Sequence, residues 1–491
     1  MHSIDSEILK RYIEPHFHRG LTQKLYSVEE VESNTLLTYK RLDLAFKLFY
    51  LSLLEKNISF AKKMYVEHIR AFSLGEFTEP GNSDKNSIEK YIESFNTTFL
   101  RIKEYGFDSK QTLIPITIDK TIVNGAHRLA SAIYLHKKVS CVTLACDSPC
   151  YDYKFFYQRN VPTGMLDQAV TTFVEYSDNV HIAFIWPIAK STNEQIEAMT
   201  PNIVYQKEII LTPNGAHNLI SQIYYGESWL GNVENNFSGA KGKLVECFKS
   251  FDPVKVVVFQ AENLDKVLQI KEKIRKTFNV GKHSVHITDT KEETLRTVQL
   301  VLNKNSIHFL NYAKPNRFRS THNKINIFKY FLEKNKISTT DIAIDSSMVL
   351  SVYGLREAKD IDFLCAEDIE VFSSMEGIHE HDEVLTYYRE SKHELIYNPQ
   401  NYFYFNDIKF IAFNTVYDMK QSRAEAKDIN DYRMMEALIE NNQIKVWVSS
   451  YKQKLFYLQV LVRQKIIGIL QNIGLFDVVY DIYKKLKRSH G

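Results

Sequence analysis

Asp360 and Asp362 flank a single apolar residue, Ile361, and are followed by Phe363 and Leu364. On a strand, alternation places both carboxylates on one face and turns Ile361 to the other. Adjacent carboxylates repel, and burying them without a cation is costly. A Mg²⁺ ion held by one or two carboxylates together with substrate phosphates is a common remedy. Upstream, Ser346 and Ser347 precede an apolar run (Met348, Val349, Leu350, Val352) that stops at Gly354. Small residues at a helix start let backbone N–H groups approach a phosphate.

A small-residue turn, a short helix and an Asp-x-Asp strand resemble the nucleotidyltransferase fold of the polymerase-β superfamily. That family has Gly-Ser or Gly-Gly at the turn; here Ser346 stands at the glycine position. Further on, Lys420-x-x-Arg423-x-x-x-Lys427-Asp428-x-x-Asp431 resembles the late helical Lys/Arg-Asp motif of the AbiEii-type branch. The resemblance covers residues 325–440. It implies an enzyme that uses Mg²⁺ and an NTP, ATP or CTP, to modify a small molecule or sugar. Asp360 and Asp362 would be catalytic and hold the metal, which aligns the triphosphate and lowers the pKa of the attacking hydroxyl. Ser346 and Ser347 would meet phosphate oxygens. Lys420, Arg423 and Lys427 would lie near the triphosphate, with Asp428 holding one of them. The family also needs a third carboxylate on a neighbouring strand as base and ligand. Asp407, just ahead of Ile408-Lys409-Phe410-Ile411, is expected there, with Glu394 second.

Around these residues the chain has room for two to four domains, being 491 residues long. The expected class is α/β and multidomain. A net charge of +3 gives no case for nucleic acid as the main partner. The 29 Tyr and 30 Phe argue for well-filled cores or sugar-facing surfaces. Five Cys, an odd number, and a start without secretory character point to a reducing cytoplasm. Cys141, Cys146 and Cys150 have gaps that fit no zinc knuckle. No uncharged apolar run reaches the ~18 residues of a membrane span.

Residues 1–75 read mainly as helices, with a dense apolar stretch at Leu44, Phe46, Leu48, Phe49, Leu51, Leu53 and Leu54. A Pro-Gly-Asn loop at 80–82 precedes a helix over 87–105 closed by Gly106. Within 76–160 the order is strand, turn, short strand, Gly125-Ala126-His127-Arg128, helix, strand. That order resembles the ParB/sulfiredoxin fold, which also hosts free-serine kinases. The resemblance implies that Gly125 permits close backbone approach and that His127 and Arg128 contact phosphate. Sulfiredoxins carry a catalytic Cys between the Gly and the His; Ala126 here argues against a sulfinic-acid reductase. The other reading has His127 and Arg128 capping and bracing the helix. Residues 124–134 recur at 214–224 with eight of eleven positions matching, a coincidence of turn-plus-helix grammar because the flanks differ.

Residues 165–320 read as an α/β domain with strands at 181–186, 255–260, 284–287 and 306–310. Helices lie between them at 263–278 and 290–302. The alternation predicts a mostly parallel sheet. His283, His286 and Asp289 fall at strand ends, where the structural role is the commoner one. Residues 441–491 end in a helical hairpin (455–488) with an apolar face and basic residues Arg463, Lys465, Lys484, Lys485, Lys487 and Arg488. Such an end packs on its own domain or lies on the anionic inner face of a membrane. The preferred reading is a nucleotidyl- or phosphoryl-transferase, with an acceptor of the surface-polysaccharide kind by compositional association. The alternatives are an ATP-dependent kinase centred on His127 and Arg128, and a non-catalytic nucleotide-binding protein.

Overall fold

The computed structural model describes residues 2–440, apart from 14, 79–84, 110–111 and 368–376, with scattered positions between 458 and 479. It is a mixed α/β chain whose described residues form three small sheets. Most of the expected hairpin over 455–488 lies outside the described residues.

The first sheet has the order β1-β2-β4-β3, formed by His2–Asp5 (β1), Leu25–Glu32 (β2), Ile114–Thr117 (β3) and Lys138–Leu144 (β4). Residues 1–75 are mainly helical as expected, but two of the four strands, missed in the sequence, lie in the first 32 residues. Tyr26 and Val28 are buried while their neighbours along β2 are exposed, so the strand is polar on its outer face and carries little apolar signal. The helices Asp43–Ser52, Ser59–Ser73, Ile88–Tyr105 and Ala126–Tyr134 belong to this unit. Helix Asp43–Ser52 is buried nearly all round, which is why its sequence shows no polar face. Ser87 caps helix Ile88–Tyr105 through its side chain, and Gly106 closes it at φ +77°.

The second sheet has the order β6-β7-β5-β8, from Val180–Ile185 (β5), Ile203–Ile209 (β6), Val254–Gln260 (β7) and Val285–Ile287 (β8). Every neighbouring pair is antiparallel, which corrects the expected parallel sheet. Helix Asn193–Met199 links β5 to β6, and helix Leu264–Phe278 links β7 to β8, giving the split βαβ arrangement. One face (Ala183, Ile185, Val257, Phe259) packs on Ile196, Val267, Ile270 and Ile274 of those two helices. The other face (Ile182, Phe184, Val256, Val258) enters the large core shared with the other units. Strands covered on both faces read as unbroken apolar runs, the usual mark of a parallel sheet. Residues 306–310, expected as a strand, belong to helix Lys304–Tyr312, which Asn303 caps by accepting from the N–H groups of Asn305 and Ser306. His286 faces Glu293 at 3.4 Å in this unit.

The two copies of the repeated stretch fold differently. Gly125 takes φ +89° ahead of helix Ala126–Tyr134, whereas Gly215 lies inside the first turn of helix Pro213–Ile223. There a Cβ on Gly215 would fall 2.1 Å from the Asn311 side chain, so the close approach requires glycine. Asn214 and Asn218 both donate to carbonyls at the end of helix Lys304–Tyr312.

The third sheet has the order β11-β10-β9-β13-β12, from Ile342–Ile344 (β9), Ile361–Cys365 (β10), Ile378–Glu380 (β11), Tyr402–Phe405 (β12) and Ile408–Ile411 (β13). It is mixed: β9–β10 and β12–β13 are antiparallel, β10–β11 and β13–β9 parallel. Phe328 packs on Phe363, and Phe309 stacks on Phe403. Lys409 on β13 is buried between the rings of Tyr397 and Tyr402, with its ammonium donating to the carbonyls of Thr340 and Ile396. Burial pushes its pKa down to about 7. Between there and the ordinary lysine value near 10.4 the unfolded chain binds the extra proton, so stability rises with pH across that window. We expect the stability of the wild type relative to Lys409→Met to climb from pH 7 to pH 10 by up to about 1.4 kcal/mol per pH unit. Urea denaturation at several pH values checks this, and a flat difference would refute it.

Candidate active site

Asp345 follows the apolar strand β9 and is fully buried. Its Oδ1 accepts from the Ser346 N–H at 2.6 Å and from the Tyr388 hydroxyl at 2.5 Å. Its Oδ2 meets His381 Nδ1 at 3.3 Å. The Asp345 N–H donates to the Asp362 carbonyl at 2.8 Å, so the two residues lie opposite each other at the end of the β9–β10 ladder. Asp362 is on β10, while Asp360 lies in the bend just before it rather than on the strand. Among the described residues neither carboxylate has a hydrogen-bond donor or an ion-pair partner. Burial raises the Asp362 pKa, and the charges of Asp360 and Asp345 raise it further against the opposing pull of His381 and Lys420. Burial lowers the His381 pKa, but Asp345 and Asp362 outweigh it and hold the ring above its ordinary value. Three carboxylates thus crowd one edge of the sheet with a histidine set among them.

The cations expected on the late helix are present but engaged. Lys420 and Arg423 end helix Phe413–Arg423, and Asp428 and Asp431 lie on helix Ala426–Ile439. Lys420 bridges Asp428 at 3.1 Å and Asp431 at 3.0 Å. Arg423 grips Asp428 with two bonds of 2.7 and 2.8 Å, and Arg356 grips Asp431 at 2.6 and 2.8 Å. Burial raises both Asp pKa values, yet these cations outweigh it and hold them below the usual range. Arg423 also lies 3.9 Å from Glu425, and Lys420 pulls the Asp362 pKa down. Lys427 sits apart, half-exposed and 3.2 Å from Glu425.

Ser346 takes φ +53° and ψ −117° between β9 and helix Ser347–Val352. That is the first central position of a type II′ turn, which glycine dominates. The residue has changed from the expected glycine while the backbone keeps a shape that favours it. Ser347 Oγ is buried without a hydrogen-bond partner.

Asp407 does not join this cluster. It occupies the Asn406-Asp407 hairpin between β12 and β13, both residues at positive φ, and pairs with Lys329 at 3.1 Å. Register places Phe410 and Phe363 beside Ile344, so Asp407 lies toward the start of β9 and Asp362 beyond its end. An Asn-Asp pair between apolar runs is a hairpin signal that outweighed the search for a base. Glu394 is also elsewhere, accepting from the Ser59 N–H at 2.5 Å and from Asn398 at 2.9 Å. The site residues missed by sequence are Asp345, His381, Tyr388 and Arg356. Asp345 alone carried a signal, being an acid that ends the apolar run Ile342-Ala343-Ile344.

In the first unit, His127 Nε2 meets the Tyr65 hydroxyl at 2.9 Å and its ring lies 4.5 Å from that of Phe95. Burial, then Lys47 and Lys85, push its pKa well down, so it is neutral. Arg128 donates to the Leu113 carbonyl at 3.2 Å and to the Thr112 hydroxyl. Beside them Lys47 is saturated by Asp43 at 3.0 Å and His68 at 2.9 Å, and Arg41 holds the same Asp43.

Comparison of the chain with family models, with characterised proteins and with solved structures finds no match. The case for function therefore rests on the geometry. Ser346→Gly should relieve the turn and stabilise the chain by about 1 kcal/mol. Ser347→Gly, inside the helix, should not stabilise. Thermal melts of the two variants check this, and a loss for Ser346→Gly would show that the turn is unstrained.

Proposed function

We propose that the unit built on β9–β13 is a Mg²⁺-dependent transferase that moves a nucleotidyl or phosphoryl group from an NTP to a small polar acceptor. The observation that carries the reading is the pair of carboxylates, Asp360 and Asp362, which no hydrogen bond or ion pair engages among the described residues, beside the buried Asp345. Other support comes from the mixed β9-β10-β11 order, the glycine-type turn at Ser346 and the cation Lys420 acting on Asp362. Among the described residues no group of three or more His, Cys, Asp or Glu is set to hold a metal ion by itself. Two carboxylates fit Mg²⁺ that completes its shell with water and substrate phosphates. Bound there by Asp360 and Asp362, the ion would neutralise phosphate charge and acidify the acceptor hydroxyl.

The chain's own residues divide the remaining work. Tyr388 and His381 hold Asp345 in place, and Asp345 in turn fixes the Ser346 N–H and the end of β10. Lys420, which already acts on Asp362, favours a polyphosphate nearby. Tyr388 also walls a cleft of about 270 Å³ lined by Arg389, Asn414, Thr415, Asp418 and Gln421. Hydroxyl, amide and charged groups of this kind suit a sugar or a polar metabolite as acceptor. Nucleotidyl transfer releases pyrophosphate and phosphoryl transfer releases an NDP, so product analysis separates the two. Asp362→Asn removes a repulsion and is expected to cut NTP turnover by roughly 100-fold or more, with the melting temperature unchanged or raised. Turnover that survives this change sinks the reading.

A second reading, a nucleotide site at His127, draws on the positive charge that Lys47 and Lys85 place there. The bonds from Arg128 to Leu113 and Thr112 favour bracing instead. Arg128→Ala is expected to cost about 1–3 kcal/mol of stability and to leave NTP affinity unchanged. Calorimetric titration beside a thermal melt decides it, since weakened NTP binding in a stable variant would favour the kinase.

A further inference from the structure

Where the second unit meets the unit built on β9–β13, a cavity of about 70 Å³ shares no lining residue with the candidate active site. Its walls are the end of helix Pro213–Ile223, one face of helix Lys291–Val301, helix Arg319–Lys334 and the hairpin between β12 and β13. On helix Lys291–Val301 the lining positions Glu293, Arg296, Thr297 and Leu300 fall at i, i+3, i+4 and i+7, a single face. Asp407, expected by sequence beside the catalytic pair, stands at this cavity instead.

The polar groups around it are unevenly satisfied. Both acids are engaged: Asp407 pairs with Lys329 at 3.1 Å, and Glu293 accepts from the Asp289 N–H at 2.8 Å and faces His286 at 3.4 Å. The donors are not. Arg296 reaches Asp407 only at 3.8 Å, and among the described residues no hydrogen bond engages its guanidinium. Gln222 Nε2 is buried with no hydrogen-bond partner among the described residues. An ammonium has three donors, so Lys329 keeps N–H groups to spare after Asp407. A buried amide without an acceptor is costly, and a bound acceptor removes that cost. Volume then limits the ligand. One water needs roughly 10–15 Å³ of such space, so this cavity takes about five heavy atoms. That suits an inorganic oxyanion and is too little for a nucleotide or a sugar. The donors come from three helices, which matches a tetrahedral ion better than a flat carboxylate.

We propose that this junction binds a small tetrahedral oxyanion of the phosphate class, held by Arg296, Lys329 and the Gln222 amide. The ion would tie the second unit to helix Arg319–Lys334 and stabilise the folded chain by mass action. The test is calorimetric titration of the full chain with inorganic phosphate, sulfate and acetate at constant ionic strength. Mg²⁺ and NTP are left out, so the outcome is separate from the transferase reading. Phosphate and sulfate should bind, raising the melting temperature above that in chloride, and acetate should do neither. Arg296→Gln should weaken phosphate binding at least about tenfold. Its melting temperature in chloride should be unchanged, because the Arg296 side chain is 52% exposed. Gln222→Met should also weaken phosphate binding, with the melting temperature in chloride unchanged or raised, since it removes the unpaired amide. Phosphate binding that survives Arg296→Gln puts the ion elsewhere and overturns the proposal. Acetate binding as tightly as phosphate, or no binding of either oxyanion, overturns it too.

Discussion

The Asp345 carboxylate is the joint on which the C-terminal sheet turns. Fully buried, its oxygens need hydrogen-bond partners, and three groups from three segments meet them. The Ser346 N–H comes from the turn into the next helix, His381 from the end of β11, and the Tyr388 hydroxyl from the segment beyond. Its own N–H closes the β9–β10 ladder on Asp362. The position of Asp362 is therefore set through its backbone by a residue that is satisfied, and among the described residues no hydrogen bond or ion pair engages its carboxylate.

The same economy joins the units to one another. Lys56, next to the helices of the first unit, reaches Asp341 ahead of β9 at 3.1 Å, and Tyr397 bonds the same carboxylate at 2.6 Å. Glu394 meets the first N–H of helix Ser59–Ser73, one of the donors that a helix leaves open. Asn303 and Asn305 hold the segment at residues 399–402 against the second unit. These contacts are single polar side chains answering backbone groups at element ends, laid over a continuous apolar core that runs through all three sheets. Nothing in local composition marks such residues, so a sequence reading of separate domains overstates their separateness.

What was legible followed from signals confined to one element. Ser87 and Gly106 bracket their helix, Thr290 caps helix Lys291–Val301 through the Glu293 N–H, and the apolar run after Ser347 is a short helix ending near Gly354. What was illegible depended on partners far along the chain. The antiparallel order of β5–β8 could not be read from strands whose two faces are both buried. The helix at Lys304–Tyr312 rested on an Asn cap that the apolar residues beside it masked. At the candidate site the acidic pair was readable because the two residues are adjacent. His381 and Tyr388 were not, since only folding brings them to Asp345.

The two candidate sites differ in how their polar groups are satisfied, and that difference argues for where chemistry resides. Around His127 the neighbouring buried groups are paired with one another: Lys47 with Asp43 and His68, Arg41 with Asp43, His68 with the Tyr65 carbonyl at 2.8 Å. A saturated buried network specifies packing and has little left to offer a ligand. At the edge of β9 and β10 the local rules are broken together. Ser346 holds a glycine-type backbone, Ser347 Oγ is buried unpaired, and among the described residues no ion pair engages the two neighbouring carboxylates. Each departure costs folding energy that substitution could recover. Their concentration within one turn and one strand is the pattern expected where structure is spent on binding and turnover rather than on stability.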